Sequence, residues 1–217
     1  MARTGPVTRD TSTIALGLAQ IRVGKFDAES IASASPVLGK DDSIGALAST
    51  TFTSNVEYWR LTSGFPALED MVVPLSETAA LECQFKEISP YNLALAKGMD
   101  PEQFKDNAHQ GTIALGTVKE SAPVRMEAHY TFPNGVNTID IIFPRAQVTS
   151  SVELAFQAED NANPTITFEA KRADSEVSVN VVTVGGTTTT IKGSAVWDEM
   201  PLGCIVFGDG SAEDDNG

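Results

Sequence analysis

Residues 124–143 read VRMEAHYTFPNGVNTIDIIF and carry the clearest strand signal in the chain. In the first part apolar side chains alternate with polar ones, the pattern of a strand with one buried face. The inward set is Val124, Met126, Ala128, Tyr130 and Phe132, and the outward set is Arg125, Glu127, His129 and Thr131. Pro133-Asn134-Gly135 then predicts a tight turn, because Asn-Gly tolerates the positive φ angles that such turns require. Apolar residues continue on one face after the turn, which predicts an antiparallel hairpin: Ile139, Ile141 and Phe143.

Similar strand patterns recur along most of the chain, and they predict an all-β fold. Gly185-Gly186 marks a second tight hairpin, and a slip in the apolar phase near Ala19 suggests a bulge. The further predicted strands are residues 14–23, 50–61, 79–85, 152–157, 166–171, 177–184 and 187–191.

One short helix interrupts the strands. Ser89 is suited to cap it, Pro90 to its first turn, and Gly98 to a left-handed stop after Lys97. A weaker cap signature begins at Asp100. The segment 25–44 and the C-terminal end are expected to be loose. We therefore expect one β domain over residues 1–205 and a flexible acidic tail over residues 206–217.

The chain of 217 residues has a net charge of −14, which bounds its partners. Such acidity argues against gripping nucleic acid or an anionic membrane surface, since both attractions depend on Lys and Arg. The two cysteines, Cys83 and Cys204, do not form a disulfide framework, so a reducing compartment fits best. These features predict a soluble protein made in the cytoplasm.

The sequence offers little for catalysis. Its two histidines are His109, with Asp106 nearby as an imaginable metal ligand, and His129 on the polar face of a strand. One histidine with scattered carboxylates does not match a zinc or iron ligand pattern. Cys83 lies in the apolar phase of its strand, where thiols are usually inert. We expect neither enzymatic activity nor a bound cofactor or metal.

Residues 56–68 combine the aromatic residues and Arg that are enriched at protein interfaces. The candidate subunit-interface residues are Tyr58, Trp59, Phe65, Pro66 and Leu68. The alternative is that some of these aromatic side chains point into the core. Pro74 is the kind of residue that limits a pairing sheet edge.

In the order of its elements the chain resembles bacteriophage tail tube proteins. The resemblance rests on the strand of residues 14–23, the strand of residues 54–61 with Trp59, and the strand of residues 77–88 that runs into the helix. It continues through the hairpin at Pro133-Asn134-Gly135, residues 142–146 and the paired strands of residues 152–157 and 166–172, and it covers roughly residues 10–205.

The resemblance implies two packed antiparallel β-sheets flanked by a helix, in subunits that form hexameric rings stacked into a hollow tube. Implied partners are other copies of the chain, the tape-measure protein, a tail terminator, a baseplate and, if the tail contracts, a sheath. The implied location is the virion tail, assembled in the host cytoplasm. Residues 25–44 and 62–69 are candidates for contacts between rings.

In such a tube the net negative charge would help DNA to pass, because a wall with the same charge as the phosphates does not bind them and lets the DNA slide past many rings. We expect four carboxylates to face the lumen: Glu127, Asp140, Glu153 and Glu169. Alternation does not say which sheet faces inward. Two other functions stay open. One is the tube of a type VI or other contractile injection system, and the other is a decoration or carbohydrate-binding β-sandwich.

Overall fold

The computed structural model of the protein describes residues 17–105, 111–116, 121–154, 163–182 and 187–208. Within these ranges the chain forms one α-helix, α1 (Pro90–Ala96), four short 3-10 turns and nine strands. The strands are β1 (Gln20–Lys25), β2 (Leu47–Ser63), β3 (Leu68–Phe85), β4 (Val124–Thr131), β5 (Thr138–Val148), β6 (Thr165–Ala170), β7 (Ser178–Val182), β8 (Thr188–Lys192) and β9 (Cys204–Gly208). The 3-10 turns are Ser30–Ala32, Lys40–Asp42, Pro101–Phe104 and Ala195–Trp197.

Both sheets are antiparallel, and the all-β prediction is confirmed. The larger sheet has the order β1-β4-β5-β6-β3-β2, and β9 also pairs with β5. Since β5 is long, its Thr138–Ile142 half pairs with β9 while its Ala146–Val148 end pairs with β6. The smaller sheet is the β7–β8 hairpin.

The larger sheet curls until its two edges approach each other. The Ile44 amide, just before β2, donates to the Ile21 carbonyl of β1 at 3.0 Å, and Arg22 forms a β-bridge with Ser43. The result is a nearly closed barrel. Its interior is filled by the apolar phases of the strands, including Leu81, Cys83, Phe85, Met126 and Phe168 at 0% exposure.

The helix α1 closes one end of this barrel. Its start and stop follow the sequence signals: the Ser89 hydroxyl accepts from the Asn92 amide at 3.1 Å, and Gly98 has φ +67°. Leu95 and Ala96 join the barrel core. The buried Asn92 side chain donates to the Ile44 and Glu87 carbonyls at 2.9 and 2.8 Å, which fixes the helix to the strand ends.

A second apolar cluster lies outside the barrel. It joins Phe26 and Ile31 to Ile142 of β5, to Ile191 of β8 and to Trp197. The expectation that residues 25–44 are loose was therefore wrong, because Phe26, Ile31 and Ile44 are buried and dock the segment on the main sheet. The expectation that Arg125 and Glu127 face outward was wrong for the same reason.

The predicted hairpin of residues 124–143 is confirmed. Thr131 of β4 pairs with Thr138 of β5, and Gly135 adopts φ +69°. The Asn134 side chain accepts hydrogen bonds from the Val136 and Asn137 amides at 3.0 Å. The Asn-Gly pair thus shapes the turn through both its side chain and its backbone.

Other expectations are met in part. The pairing of β7 with β8 confirms the second hairpin, but Gly185-Gly186 lies outside the described residues. Residues 152–154 are not in a strand, and the rest of that predicted strand lies outside the described residues. So do residues 14–16 of the first predicted strand. Strand β9 runs to Gly208, beyond the expected start of the tail, and residues 209–217 lie outside.

Among the described residues, no helix has the length and apolar character needed to cross a membrane.

Candidate self-association surface

The strands β2 and β3 form one hairpin that is much longer than the sheet it belongs to. They are 17 and 18 residues long and stay paired from Leu47–Phe85 to Ser63–Leu68. Strand β6 covers the edge of β3 only over Ala80–Gln84, because β6 ends at Ala170. Residues 54–79, here called the distal hairpin, therefore have no third strand beside them in the described chain.

The distal hairpin extends roughly 30 Å at about 3.3 Å per residue. A two-stranded ribbon is marginally stable by itself in water, and it presents unpaired N–H and C=O groups along both edges. A projecting ribbon of this kind is normally stabilised by a further strand or another molecule that packs against it.

Two bulges in β3 set which side chains share a face of the hairpin. Register shifts occur between Glu57 and Tyr58 and between Leu61 and Thr62. Strand β2 alternates regularly through both shifts, so Asn55 and Glu57 lie on the same face as Trp59 and Leu61. Near the barrel this face is polar and the opposite face carries the core residue Phe52.

Beyond the first bulge the outer face becomes apolar. Here Trp59 pairs with Val73, and Leu61 pairs with Met71. We call Trp59, Leu61, Leu68, Met71 and Val73 the outer patch. Trp59 is 46% exposed and Leu68 66% exposed. Apolar side chains thus lie on the face that turns away from the chain's own core, where no described residue of the chain covers them.

The five candidate interface residues all lie on the distal hairpin and are all exposed. Phe65 and Pro66 occupy its turn, where Phe65 is 104% exposed, and Tyr58 lies on the face opposite Trp59. Of the two alternatives left open by the sequence, core or surface, the structure has these side chains at the surface. The sequence reading missed the matching residues of β3, such as Met71 and Val72, because Pro74 suggested the end of a pairing edge.

Two of the four acidic residues expected to face a lumen are buried within the subunit. Glu127 is 1% exposed and Asp140 is 5% exposed. Glu127 accepts from Arg125 Nε at 2.7 Å and from the Val37 and Leu38 amides at 3.0 Å. The Glu127 carboxylate is covered by residues 26–44 and that of Asp140 lies against His129 of the neighbouring strand, so the expectation of an exposed charge at both positions was wrong.

Glu153 and Glu169 are accessible, and their orientation toward a lumen stays a prediction. Glu169 accepts from Lys171 Nζ at 2.7 Å and from the Thr149 hydroxyl at 2.9 Å. These bonds, with that from Lys171 the larger cause, lower the pKa of the Glu169 carboxyl.

Arg125 explains why residues 26–44 are ordered against β4. Its side chain is fully buried, pairs with Glu127 and donates to the carbonyls of Ser30, Ser33 and Ser35. A buried guanidinium needs all of these acceptors, because an unpaired buried charge is costly. The sequence signal was the Arg-x-Glu spacing, which places both side chains on one face of a strand.

His129 is held within the sheet. Its Nδ1 lies 2.6 Å from Asp140 Oδ1 on the neighbouring strand, and its Nε2 lies 3.3 Å from the Thr131 hydroxyl. Neither of the two cavities described below borders this group. Asp106 and His109 lie outside the described residues. Within the described ranges, no cluster of three or more His, Cys, Asp and Glu side chains is placed to hold a metal ion.

Neither cysteine is activated. Burial raises the pKa of the Cys83 thiol to about 12, and it also raises the pKa of Cys204. Both are free thiols.

Two cavities open on the surface near α1 and residues 149–154. The larger has a volume of about 550 Å³ and a mainly apolar lining of Leu93, Lys97, Ile113, Leu115, Ser150, Val152 and Leu154. We call it the helix cavity. The smaller, of about 260 Å³, is lined by Ser151, Glu153, Asn163 and Thr165.

The chain matches no protein-family model, and no curated protein is found to be similar to it. Solved structures that are similar to it at low identity include the following three. The first is the tube-terminating cap of the anti-feeding prophage, with 14% identity, a TM-score of 0.39 and coverage of 79% of this chain and 91% of that chain.

The second is a chain of the PVC sheath–tube complex, from an extracellular contractile injection system in the extended state, with 13% identity, a TM-score of 0.39 and coverage of 76% and 96%. The third is the PVC sheath/tube terminator, with 15% identity, a TM-score of 0.36 and coverage of 79% and 96%. Because every TM-score is below 0.5, we base the functional proposal on the chain's own geometry.

Proposed function

We propose that this chain is a non-catalytic structural subunit of a bacteriophage tail tube. In this proposal copies form hexameric rings, and the rings stack around a lumen through which genomic DNA reaches the host. The observation that carries the proposal is the distal hairpin, a projecting ribbon with open edges and an outer patch that the described residues of the chain leave uncovered.

The hairpin supports self-assembly because of where its apolar residues lie. A hairpin that only decorated the subunit would be polar on the face away from the core, as it is at Asn55 and Glu57. Beyond the bulge that face carries Trp59, Leu61 and Met71 instead. Edges with free backbone groups favour pairing with another strand, and many copies of one chain supply such strands at high local concentration.

The charge of the chain suits a conduit for DNA. A net charge of −14 over 217 residues leaves little basis for phosphate binding, so transit would not be trapped by repeated weak contacts. Glu153 and Glu169 are the candidates for the lumen wall that the structure leaves accessible. The partners of such a subunit are other copies, the tape-measure protein, a terminator, a baseplate and, in a contractile tail, a sheath.

The same hairpin argument applies to the tube of a contractile injection system, which shares this architecture and differs in its cargo. A carbohydrate-binding role is less well supported, because Tyr58 and Trp59 lie on opposite faces of the ribbon and do not form one stacking platform.

The test is the assembly state of the purified chain, measured by size-exclusion chromatography with light scattering and by negative-stain electron microscopy. We expect rings or stacked tubes for the native chain and a folded monomer for Trp59→Asp, which places a charge in the outer patch. The matched control is Asn55→Asp, on the same face of the same strand, which should assemble normally. A native chain that stays monomeric at all concentrations, or a Trp59→Asp variant that assembles like the native chain, would contradict the proposal.

A further inference from the structure

We infer that the turn of the distal hairpin, with Phe65 at its tip, inserts into the helix cavity of the next copy in a head-to-tail contact. This inference rests on the proposed function, because it names one pair of surfaces that self-assembly would join. It assigns a receiver to the tip and an occupant to the cavity.

The turn of the distal hairpin is apolar and does not pack against the described part of its own subunit. Phe65 is 104% exposed and Leu68 is 66% exposed, and Pro66 is exposed between them. A fully exposed phenylalanine at the end of a ribbon of roughly 30 Å has no packing partner among the described residues of its own chain. Aromatic anchors that fill a pocket on a partner are the residues that dominate binding energy at interfaces.

The helix cavity is mainly apolar, and no described side chain of its own subunit fills it. At about 550 Å³ it falls in the size range of functional pockets, roughly 300–1,000 Å³, which is ample for one aromatic ring. Its walls come from α1 and from residues 113–115 and 150–154, and Leu115 at its mouth is 81% exposed. Both partners of the proposed contact therefore expose apolar surface in the isolated subunit.

Charge complementarity favours a second copy as the occupant. Asp70 follows the tip, and its carboxylate accepts from the Ser63 hydroxyl, which leaves its negative charge without a cation among the described residues. Lys97 lines the helix cavity, and its ammonium donates to the Ala114 carbonyl at 3.1 Å but pairs with no carboxylate in the described chain. Within its described residues each copy thus carries an unpaired negative charge, Asp70, beside its hairpin turn and an unpaired positive charge, Lys97, beside its helix cavity.

The two features lie at opposite ends of the strands. The distal hairpin leaves the sheet past the Ala170 end of β6, since Ala80 is opposite Glu169. The cavity wall at Ser150 follows the other end, where the Thr149 amide bonds to the Thr167 carbonyl at 3.1 Å. A hairpin turn and a cavity at opposite ends make a heterologous contact, which repeats from copy to copy in one direction instead of closing a symmetric dimer.

The experiment is a directed disulfide between separately prepared copies. One copy carries Ala67→Cys, in the exposed turn beside Phe65 so that the aromatic anchor is kept, and the other carries Leu115→Cys, both with Cys204→Ala so that the half-buried native thiol does not compete. The copies are mixed, assembled and oxidised. A disulfide requires Cα atoms within roughly 7 Å, so a covalent dimer on non-reducing gels reports the contact directly. The control replaces Leu115→Cys by Val136→Cys, an exposed position of 51% at the same end as the tip.

We expect a covalent dimer with Leu115→Cys and none with Val136→Cys. Rings or tubes that form normally but give no crosslink between positions 67 and 115 would overturn this inference and leave the proposed function standing. If the copies do not assemble at all, the proposed function fails and the inference fails with it.

A charge exchange gives an independent readout that does not depend on thiols. Asp70→Lys and Lys97→Asp should each raise the subunit concentration needed for half-maximal assembly by about fivefold, and the double variant should restore it. Asp70 is exposed, whereas Lys97 is half-buried at the end of α1, so circular dichroism of each variant checks that it folds. Single variants without effect, or a double variant worse than either single one, would count against the contact.

Discussion

The two ends of the β2–β3 hairpin are built from the same pair of strands, yet they meet opposite surroundings. Near the barrel, Leu81, Cys83 and Phe85 are fully buried, and the face away from the core is polar. Past the bulge at Glu57 the face away from the core becomes apolar as well, and Phe65 at the tip is fully exposed. The proximal end packs against its own chain, whereas the distal end exposes apolar side chains that no described residue of that chain covers.

The two tryptophans express the same contrast. Trp197 is 0% exposed, and its Nε1 donates to the Ile31 carbonyl at 2.7 Å. Trp59 is 46% exposed on the outer patch. We therefore expect the first to act on folding and the second on association, and substitutions at each position test that division.

The largest expected effect on folding is that of Trp197→Ala. It removes the largest side chain of the second apolar cluster, the one outside the barrel, and leaves the Ile31 carbonyl without its donor. We expect the free energy of unfolding to fall by about 3–5 kcal/mol. Urea unfolding followed by circular dichroism measures this directly. A loss below about 1 kcal/mol would mean that residues 26–44 do not depend on this cluster.

Arg125→Met should cost nearly as much, about 3 kcal/mol, because it leaves Glu127 charged, buried and without its partner. The measurement is again urea unfolding at neutral pH. The matched control is the double variant Arg125→Met, Glu127→Gln, in which no buried charge remains. We expect the double variant to be more stable than the single one; if it is less stable, the penalty does not come from the orphaned carboxylate.

Trp59→Ala should change the free energy of unfolding of the dissociated subunit by no more than about 0.5 kcal/mol, since the side chain contacts no core cluster. Its effect should appear in assembly, measured by light scattering across a concentration series. A loss of subunit stability similar to that of Trp197→Ala would remove the contrast between the two regions.

The parts of the fold that could be predicted from sequence are those set by local chemistry. The hairpin of residues 124–143 depends on alternation and on Asn134-Gly135, and α1 depends on Ser89 and Gly98. Each of these residues shapes only the few residues next to it in the sequence, so its effect can be predicted without knowing the rest of the fold. Exposure of Trp59 and Phe65 was one of two alternatives that local patterns leave open.

What was not predictable depends on distant docking. The polar phase of β4 indicated a solvent face at Arg125 and Glu127, and only the packing of residues 26–44 reveals it as buried. Pro74 indicated the end of an edge, but the bulge between Glu57 and Tyr58 accommodates it opposite Tyr58 and lets the ribbon continue. Residues 152–154 alternate like a strand and still lack a partner strand.

The smallest expected effect lies at the junction of the two regions, where Glu169 of β6 is opposite Ala80 of β3. Hydrogen bonds from Lys171 and Thr149 lower the pKa of Glu169 below its ordinary value of 4.5. A lowered pKa in the folded state contributes stability above pH 4.5, and that contribution is lost as the pH falls through the lowered pKa. Because the Glu169 side chain is 40% exposed, we expect no more than about 0.5 kcal/mol.

Glu169→Gln should therefore lower the free energy of unfolding slightly at pH 7 and leave it unchanged at a pH below the lowered pKa, where the native carboxyl is also neutral. Chemical unfolding at the two pH values measures the difference. The control is Glu153→Gln, at an exposed carboxylate without an ion-pair partner among the described residues, which should show no difference at either pH. An equal loss at both pH values would assign the effect of Glu169 to packing against the base of the hairpin, because the charge of the carboxylate is absent at the lower one.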